Sequence, residues 1–342
     1  MSYQDVDVTR NSNAARIAGI LGAFVLVMLI TAPWWAGRAD LRLMGELFLY
    51  LSLASLWNLM AGYAGLVSVG QQAYVGFGGY MLFALTILLG LHPLLAIAAA
   101  GVFGALVSIP VATLIFRLRG AYFAIGTWVI AEVFRLSFAQ ISALGGGSGS
   151  SLPVGIVKSL AGSRSARESL SYWLALGAAV LVVTAVYLFL RSRQGLALTA
   201  IRDNELAAGS LGIDIWRTKF VVYVVTSALT AMVGALIFLQ KLRISPDAAF
   251  SVNDWTAFVI FIVVIGGIGT IEGPIIGTLI FFALRETLAD LGTIYLMVLG
   301  LVAIVVMLKA PKGVWGFIRA RFDTQLFPLT YRVVRVNATK GL

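Results

Sequence analysis

Long apolar stretches separated by short polar ones run through the whole 342-residue chain. A helix of about 20 apolar residues is long enough to cross the hydrocarbon core of a bilayer. The pattern predicts an all-α polytopic membrane protein with about ten hydrophobic helices, some of them broken or re-entrant. The predicted spans cover residues 14–36, 42–62, 66–90, 93–116, 120–143, 170–190, 217–240, 254–270, 273–290 and 292–309.

Two of these stretches need separate comment. The first, 14–36, is too long for a typical signal peptide and lacks a clear small-residue cleavage site, so we expect it to be retained as a span. The third, 66–90, is rich in polar residues and glycines, which predicts a broken or re-entrant helix. These residues are Ser68, Gly70, Gln71, Gln72, Gly76, Gly78 and Gly79.

Composition supports the same class of protein. Hydrophobic residues make up 60% of the chain and charged residues only 12%, which excludes a water-soluble fold. The absence of cysteine excludes disulfides, thiol catalysis and cysteine-ligated metals. The single histidine, His92, precedes Pro93 and is expected to begin a helix at the membrane surface. We therefore expect no metal and no cofactor.

The distribution of Lys and Arg predicts the orientation, because cytoplasmic loops are enriched in these residues. It favours both termini inside, with a cytoplasmic N-terminus at 1–13, a transmembrane domain at 14–309 and a basic cytoplasmic tail at 310–342. A glycine- and serine-rich loop at 144–169 is then periplasmic, and a loop at 191–216 is cytoplasmic. This asymmetry and anionic lipid at the inner surface account for the net charge of +10 without nucleic-acid binding.

The inner loop has the features of a short helix outside the bilayer. Asn204 can cap its start, and Glu205 in the first turn favours the positive end of the helix dipole. Gly209 and Gly212 allow the helix to stop or turn. A partner protein can bind such a helix. The alternative is an ordinary polar loop between two spans.

Five ordered motifs resemble the permeases of bacterial branched-chain amino acid ABC transporters over about residues 45–320. The segment 195–220, with the run Ala-Ile-Arg-Asp-Asn-Glu-Leu-Ala-Ala at 200–208, is similar to their coupling loop. The other four motifs are 58–65 followed by Ser68, Gly70 and 76–80; 117–125; 244–246 with 266–274; and 310–313.

This resemblance implies a pore subunit of the bacterial inner membrane. Such a subunit pairs with a related second permease, docks two cytoplasmic ATPase subunits and receives solute from an external solute-binding protein. Branched-chain amino acids are the default solute, although Gln71 or Gln72, Tyr74, Trp128 and Leu144 depart from the family pattern. The coupling residues that it implies are Arg202, Asn204, Glu205, Ala208, Gly209 and Gly212.

Polar residues inside apolar spans are the candidates for the translocation pathway, because a membrane interior tolerates them only in protein or beside a cavity. The alternative is that they bond neighbouring helices together. The candidates are Asn58, Ser68, Gln71, Gln72, Tyr74, Tyr122, Thr127 and Glu132.

Three glycines spaced four apart, Gly269, Gly273 and Gly277, predict a flat helix-packing seam, which Pro274 is expected to interrupt. The alternative for these glycines is a loose turn between two spans.

Two other functions remain open at this level. An ion-coupled secondary transporter would use buried carboxylates, for which Glu46, Glu132, Glu272 and Glu286 are the candidates. Pairing of Glu132 with Arg135, one helical turn away, is the structural alternative. A membrane-embedded enzyme is less favoured, because the chain offers neither a Ser, His and acid set nor a cysteine nucleophile. No Gly-Lys sequence of a phosphate-binding loop occurs, so we expect ATP hydrolysis on partner subunits and no enzyme activity in this chain.

The orientation gives a first test. A topology reporter fused after Ser150 should register outside, whereas reporters after Gln194 and at the C-terminus should register inside. Activity of a periplasm-dependent and a cytoplasm-dependent reporter at each site measures this. An inside signal at Ser150 would overturn the predicted number of crossings.

Overall fold

A computed structural model describes residues 6–9, 13–288, 292, 294–310, 312–322, 326–327 and 332–335. The predicted terminal segments 1–13 and 310–342 therefore lie only in part within the described residues. The α-helices are α1 Asn13–Ile30, α2 Ala32–Trp35, α3 Arg38–Asn58, α4 Gln71–Ile87, α5 Pro93–Ile115, α6 Ala121–Ala139, α7 Val154–Leu160, α8 Arg164–Arg191, α9 Arg193–Asp203, α10 Glu205–Ser210, α11 Ile215–Lys241, α12 Pro246–Ala249, α13 Phe258–Gly266, α14 Glu272–Leu288, α15 Ile294–Lys309 and α16 Gly313–Phe322.

Short non-α elements join these helices. A π-helical turn at Leu59–Tyr63 extends α3, and another at Asn253–Ala257 leads into α13. Two 3₁₀ turns cover Ser142–Leu144 and Gly146–Ser148. The strands are β1 Val6–Thr9, β2 Ser150–Ser151, β3 Arg243–Ile244 and β4 Arg332–Arg335.

The all-α polytopic architecture is confirmed, but ten complete spans are not. In the described residues, seven helical segments are long and apolar enough to cross a bilayer. Of the other three predicted spans, α4 and α14 have 17 residues each, and α1 is apolar from Gly19 to Ile30. The seven are Arg38–Tyr63, Pro93–Ile115, Ala121–Ala139, Arg164–Arg191, Ile215–Lys241, Pro246–Gly266 and Leu296–Arg321.

The third predicted span is interrupted only at its start. Residues 64–70 are not regular helix, and Gly65 has a positive φ of 68°. From Gln71 onward α4 is continuous, so Gly76, Gly78 and Gly79 do not break it. These glycines instead allow close packing.

Helices α4 and α11 form the centre of the bundle, where their backbones touch. A Cβ atom on Gly78 of α4 would lie 1.8 Å from the Ala231 carbonyl oxygen of α11. A Cβ atom on Gly234 of α11 would lie 2.2 Å from the Val75 oxygen of α4. Helix α11 also packs on α3 and α5, while α3 packs on α8, α13 and α14. Small residues at such crossings provide close van der Waals contact where lipid leaves no hydrophobic driving force.

Ion pairs between distant segments link α3 to α14 and to α8. Arg285 of α14 donates to both carboxylate oxygens of Glu46 on α3, at 2.9 and 2.8 Å. Glu168 of α8 forms a short hydrogen bond with Arg42 of α3, and its side chain is only 9% exposed. Each of these pairs joins residues more than 100 positions apart in the chain.

The two ends of the described chain meet. Strand β1 pairs with β4 in antiparallel register, with Val6 opposite Arg335. The described strands nearest the two ends of the chain therefore lie side by side. Strands β2 and β3 likewise pair, with Ser150 opposite Ile244, and close the glycine-rich loop against the end of α11.

The three glycines of the predicted packing seam do not all lie in one helix. Gly273 and Gly277 lie in α14 against α13, whereas Gly269 precedes α14 in a turn with φ of 74°. Pro274 does not interrupt the helix, because it lies in the first turn, where a backbone N–H needs no partner. Cβ atoms on Gly273 and Gly277 would lie 2.1 Å from the Gly267 oxygen and 1.9 Å from the Ile262 oxygen.

Substitution at this crossing should separate the two helices. Gly273→Leu should destabilise the fold by about 1–3 kcal/mol or more, because the added side chain overlaps fixed backbone. The expected readouts are a lower unfolding temperature and a lower yield of assembled complex. Gly177→Leu is the control, since a Cβ atom there meets nothing within 4 Å. Wild-type stability and transport in Gly273→Leu would show that the crossing tolerates added volume.

Candidate functional site

The loop at 191–216, called the inner loop here after its predicted orientation, folds into two helices, α9 and α10, rather than the single short helix expected. The additional helix α9 forms because Leu198 and Ile201 are buried against α8, α11 and the π-helical turn. Asn204 separates the two helices, and its side chain accepts a hydrogen bond from the Ala207 N–H at 3.0 Å. Gly212, with φ of 82°, follows the end of α10. The predicted cap is therefore present.

Helix α10 is anchored on one side and exposed on the other. Ala208 is 2% exposed, and Glu205 binds Lys219 at the start of α11, with 3.1 Å between Oε2 and Nζ. Leu206 and Leu211, in contrast, are 86% and 81% exposed. A Cβ atom on Gly209 would meet only Ile215, at 3.4 Å. Two exposed leucines on a loop outside the spans form an apolar edge that a partner can cover.

The inner loop is also connected to the ends of the spans. Arg202 at the end of α9 donates to the Gly62 carbonyl in the π-helical turn, at 3.5 Å. Asn58, just before that turn, accepts from the Gly269 N–H at 2.8 Å and donates to the Thr270 carbonyl at 2.7 Å. The last turn of α3, the glycine-rich turn before α14 and the inner loop thus form one connected junction.

Six of the eight pathway candidates are buried between helices. Tyr74 shares a hydrogen bond with Tyr223 at 2.9 Å, and Thr127 accepts from the Val69 N–H at 3.1 Å. Gln72 accepts a short hydrogen bond from Thr256. These contacts are the cross-helix bonding that the sequence left as the alternative role. The six are Asn58, Ser68, Gln71, Gln72, Tyr74 and Thr127.

The other two candidates lie on an exposed face of α6. Tyr122 is 74% exposed, and the Glu132 side chain is 46% exposed. The predicted pair of Glu132 and Arg135 is confirmed, with 2.6 Å between Oε1 and Nη2. Arg135 also binds Asp247 at 2.7 Å, a contact that the sequence did not indicate. The same face exposes Ile125, Trp128, Val129, Val133 and Leu136.

These features define a class of protein. The chain is a multi-pass helical membrane protein with a capped, exposed helix between two spans and a partly charged exposed face along another span. The sequence model of the family described as branched-chain amino acid transport system / permease component matches residues 40–308. The chain belongs to this family and is a multi-pass inner-membrane protein.

Three relatives illustrate the extent of the similarity. The high-affinity branched-chain amino acid transport system permease protein LivM of Escherichia coli (strain K12) is 27% identical over 311 residues, which cover 84% of this chain and 73% of the relative. The probable branched-chain amino acid transport permease protein LivM of Methanocaldococcus jannaschii is 26% identical over 274 residues, covering 70% and 78%. The corresponding LivH permease of Escherichia coli (strain K12) is 33% identical over 142 residues, covering 40% and 44%. No solved structure matches the chain.

Proposed function

We propose that this chain is one half of the transmembrane pore of an ATP-driven importer and that α10 couples the pore to an ATPase subunit. The observation that carries the proposal is the exposed edge of α10, because Leu206 and Leu211 remain uncovered within the chain. The chain carries no Gly-Lys phosphate-binding sequence, so ATP hydrolysis belongs to separate subunits. Two cytoplasmic ATPase subunits and an external solute-binding protein complete the proposed importer.

The second half of the pore is a related permease in this proposal. Relatives named LivM and LivH both match the chain, which supports pairing between two homologous permeases. The exposed face of α6 is the candidate surface for the pathway and for this pairing. Glu132 and Arg135 are partly exposed within the span, and charged groups facing lipid would be costly. A water-filled path or a partner subunit beside α6 removes that cost.

The proposed solute is a branched-chain amino acid or a related small polar or amphipathic molecule. The names of the relatives support this class. Glu132, Arg135 and Asp247 place charges of both signs on this face, which suits weak passage of a zwitterion. Tyr74, one of the departures from the family pattern, is buried against Tyr223 and supports packing rather than solute contact.

An ion-coupled secondary transporter is not favoured. Three of its four candidate carboxylates are held by hydrogen bonds. Glu46 binds Arg285, Glu132 binds Arg135, and Glu272 accepts from the N–H groups of Leu326 and Phe327 at 3.2 and 3.1 Å. Structural pairing accounts for these positions without a proton relay.

A bulky substitution on α10 tests coupling. Gly209→Trp should abolish uptake by the reconstituted complex while ATP hydrolysis persists, because the side chain projects from an exposed position into the partner surface. The measurements are uptake of labelled solute and release of phosphate from the same proteoliposomes.

Gly162→Trp is the matched control, since this glycine is exposed in the opposite loop and a Cβ atom there meets nothing within 4 Å. Equal loss in both variants would indicate general misfolding. Full uptake by Gly209→Trp would reject the coupling role.

A further inference from the structure

A cavity of 620 Å³ lies between the inner loop and the adjoining ends of the spans. Its volume is within the range of small-molecule sites, roughly 300–1,000 Å³. Five parts of the chain form its walls: the turn before α4, the α5–α6 connection and the starts of α6, α10 and α11. The lining residues are Gly65, Leu66, Val67, Phe116, Leu118, Arg119, Gly120, Ala121, Phe123, Ala124, Glu205, Ile215, Trp216 and Lys219.

The cavity combines apolar walls with three charged groups. Phe116, Phe123 and Trp216 provide aromatic surface, and Trp216 is held by stacking on Phe220 with ring centroids 4.9 Å apart. Arg119 and Lys219 provide positive charge. Glu205 provides a carboxylate.

The three side chains carry two positive charges and one negative charge. Glu205 binds Lys219 at 3.1 Å, and the Lys219 side chain is only 17% exposed. In the described part of the chain, Arg119 has neither a hydrogen bond nor an ion pair. The cavity therefore offers a guanidinium for a carboxylate ligand, with a carboxylate of its own nearby for an ammonium group.

We infer that this cavity is a cytoplasmic-side binding site for a small amphipathic α-amino acid. The ligand carboxylate binds Arg119 and Lys219, its ammonium group lies beside Glu205, and its apolar side chain packs on Phe116 and Trp216. Such a ligand has the chemistry of the solute proposed above, so the inference rests on the proposed function for the identity of the ligand.

An occupied cavity would affect transport. Glu205 belongs to the proposed coupling helix, whereas Leu66 lies in the turn before α4 and Phe123 in the first turn of α6. A ligand in contact with both sets favours the arrangement in which they are close together. A ligand that binds this arrangement more tightly than the others raises its population. Because the transport cycle must leave this arrangement, solute that accumulates inside the cell would slow its own uptake.

An anionic phospholipid is the main alternative occupant, because its phosphate can also bind Arg119 and its chains can cover apolar walls. Glu205 favours the amino acid over this occupant, since its carboxylate can pair with an ammonium group, which a phosphate does not provide. Occupancy by an amino acid depends on its concentration inside the vesicle, whereas occupancy by a phospholipid depends on the lipid composition of the vesicle.

The test uses the complete complex in proteoliposomes, preloaded with ATP and with one luminal probe. The probes are L-leucine, isovalerate, which lacks the ammonium group, and isoamylamine, which lacks the carboxylate. Luminal L-leucine should lower initial uptake of labelled leucine, with isovalerate weaker and isoamylamine inactive. Each variant is normalised to its own uptake with no probe inside.

The variant Arg119→Ala should weaken inhibition by luminal L-leucine by about tenfold or more, because a charge-assisted contact is lost. Arg117→Ala is the control, as this neighbouring arginine does not line the cavity. Equal inhibition in wild type and Arg119→Ala, or no inhibition in either, would overturn the inference. If the uptake rate depended on the anionic lipid content of the vesicles and not on luminal L-leucine, the cavity would be assigned to phospholipid and the inference would be overturned.

A second measurement separates this inference from the proposed function. Equilibrium binding of labelled L-leucine to the purified complex without solute-binding protein does not require transport. Binding weakened by Arg119→Ala, in a complex that takes up no leucine, would support the site and reject the solute assignment. Uptake without any such binding would support the importer and reject the site.

Discussion

Direct backbone contact at glycines is the constraint on which the rest of this structure depends. Within a bilayer, helices gain little from hydrophobic burial against each other, so close packing must supply the association. Helices α4 and α11 touch at Gly78 and Gly234, and α13 and α14 touch at Gly266 and Gly277. A side chain at any of these positions would overlap a backbone atom of the neighbouring helix. These contacts set the positions of the spans.

Because these contacts fix the spans relative to one another, the segments that connect the spans also have fixed positions. Asn58 joins the end of α3 to the turn before α14, and Arg202 joins the inner loop to the π-helical turn. Glu205 joins α10 to α11 through Lys219. A displacement of α10 by a partner can therefore reach the ends of three spans through short polar contacts. This connection is the physical basis of the proposed coupling.

Local sequence rules predicted the features that depend on neighbouring residues. The cap at Asn204, the Glu132–Arg135 pair and the irregular start of the third span all follow from residues a few positions apart. Contacts between distant segments could not be predicted, since a single sequence does not show which spans are adjacent. The bonds of Asn58 to residues more than 200 positions away and of Glu46 to Arg285 are of this kind. The function of each candidate site residue remains a prediction.

The central claim is that α10 contacts an ATPase subunit, and the absence of native cysteine permits a direct measurement. Leu206→Cys places one thiol on the exposed edge of α10, and Gly162→Cys places one on the opposite loop. A short thiol-to-amine cross-linker is applied to the assembled complex, and adducts are identified by mass spectrometry. The account predicts an adduct with the ATPase subunit from Leu206→Cys and none from Gly162→Cys. An accessible thiol that forms no adduct in the Leu206→Cys variant, in a complex that still transports, would contradict it.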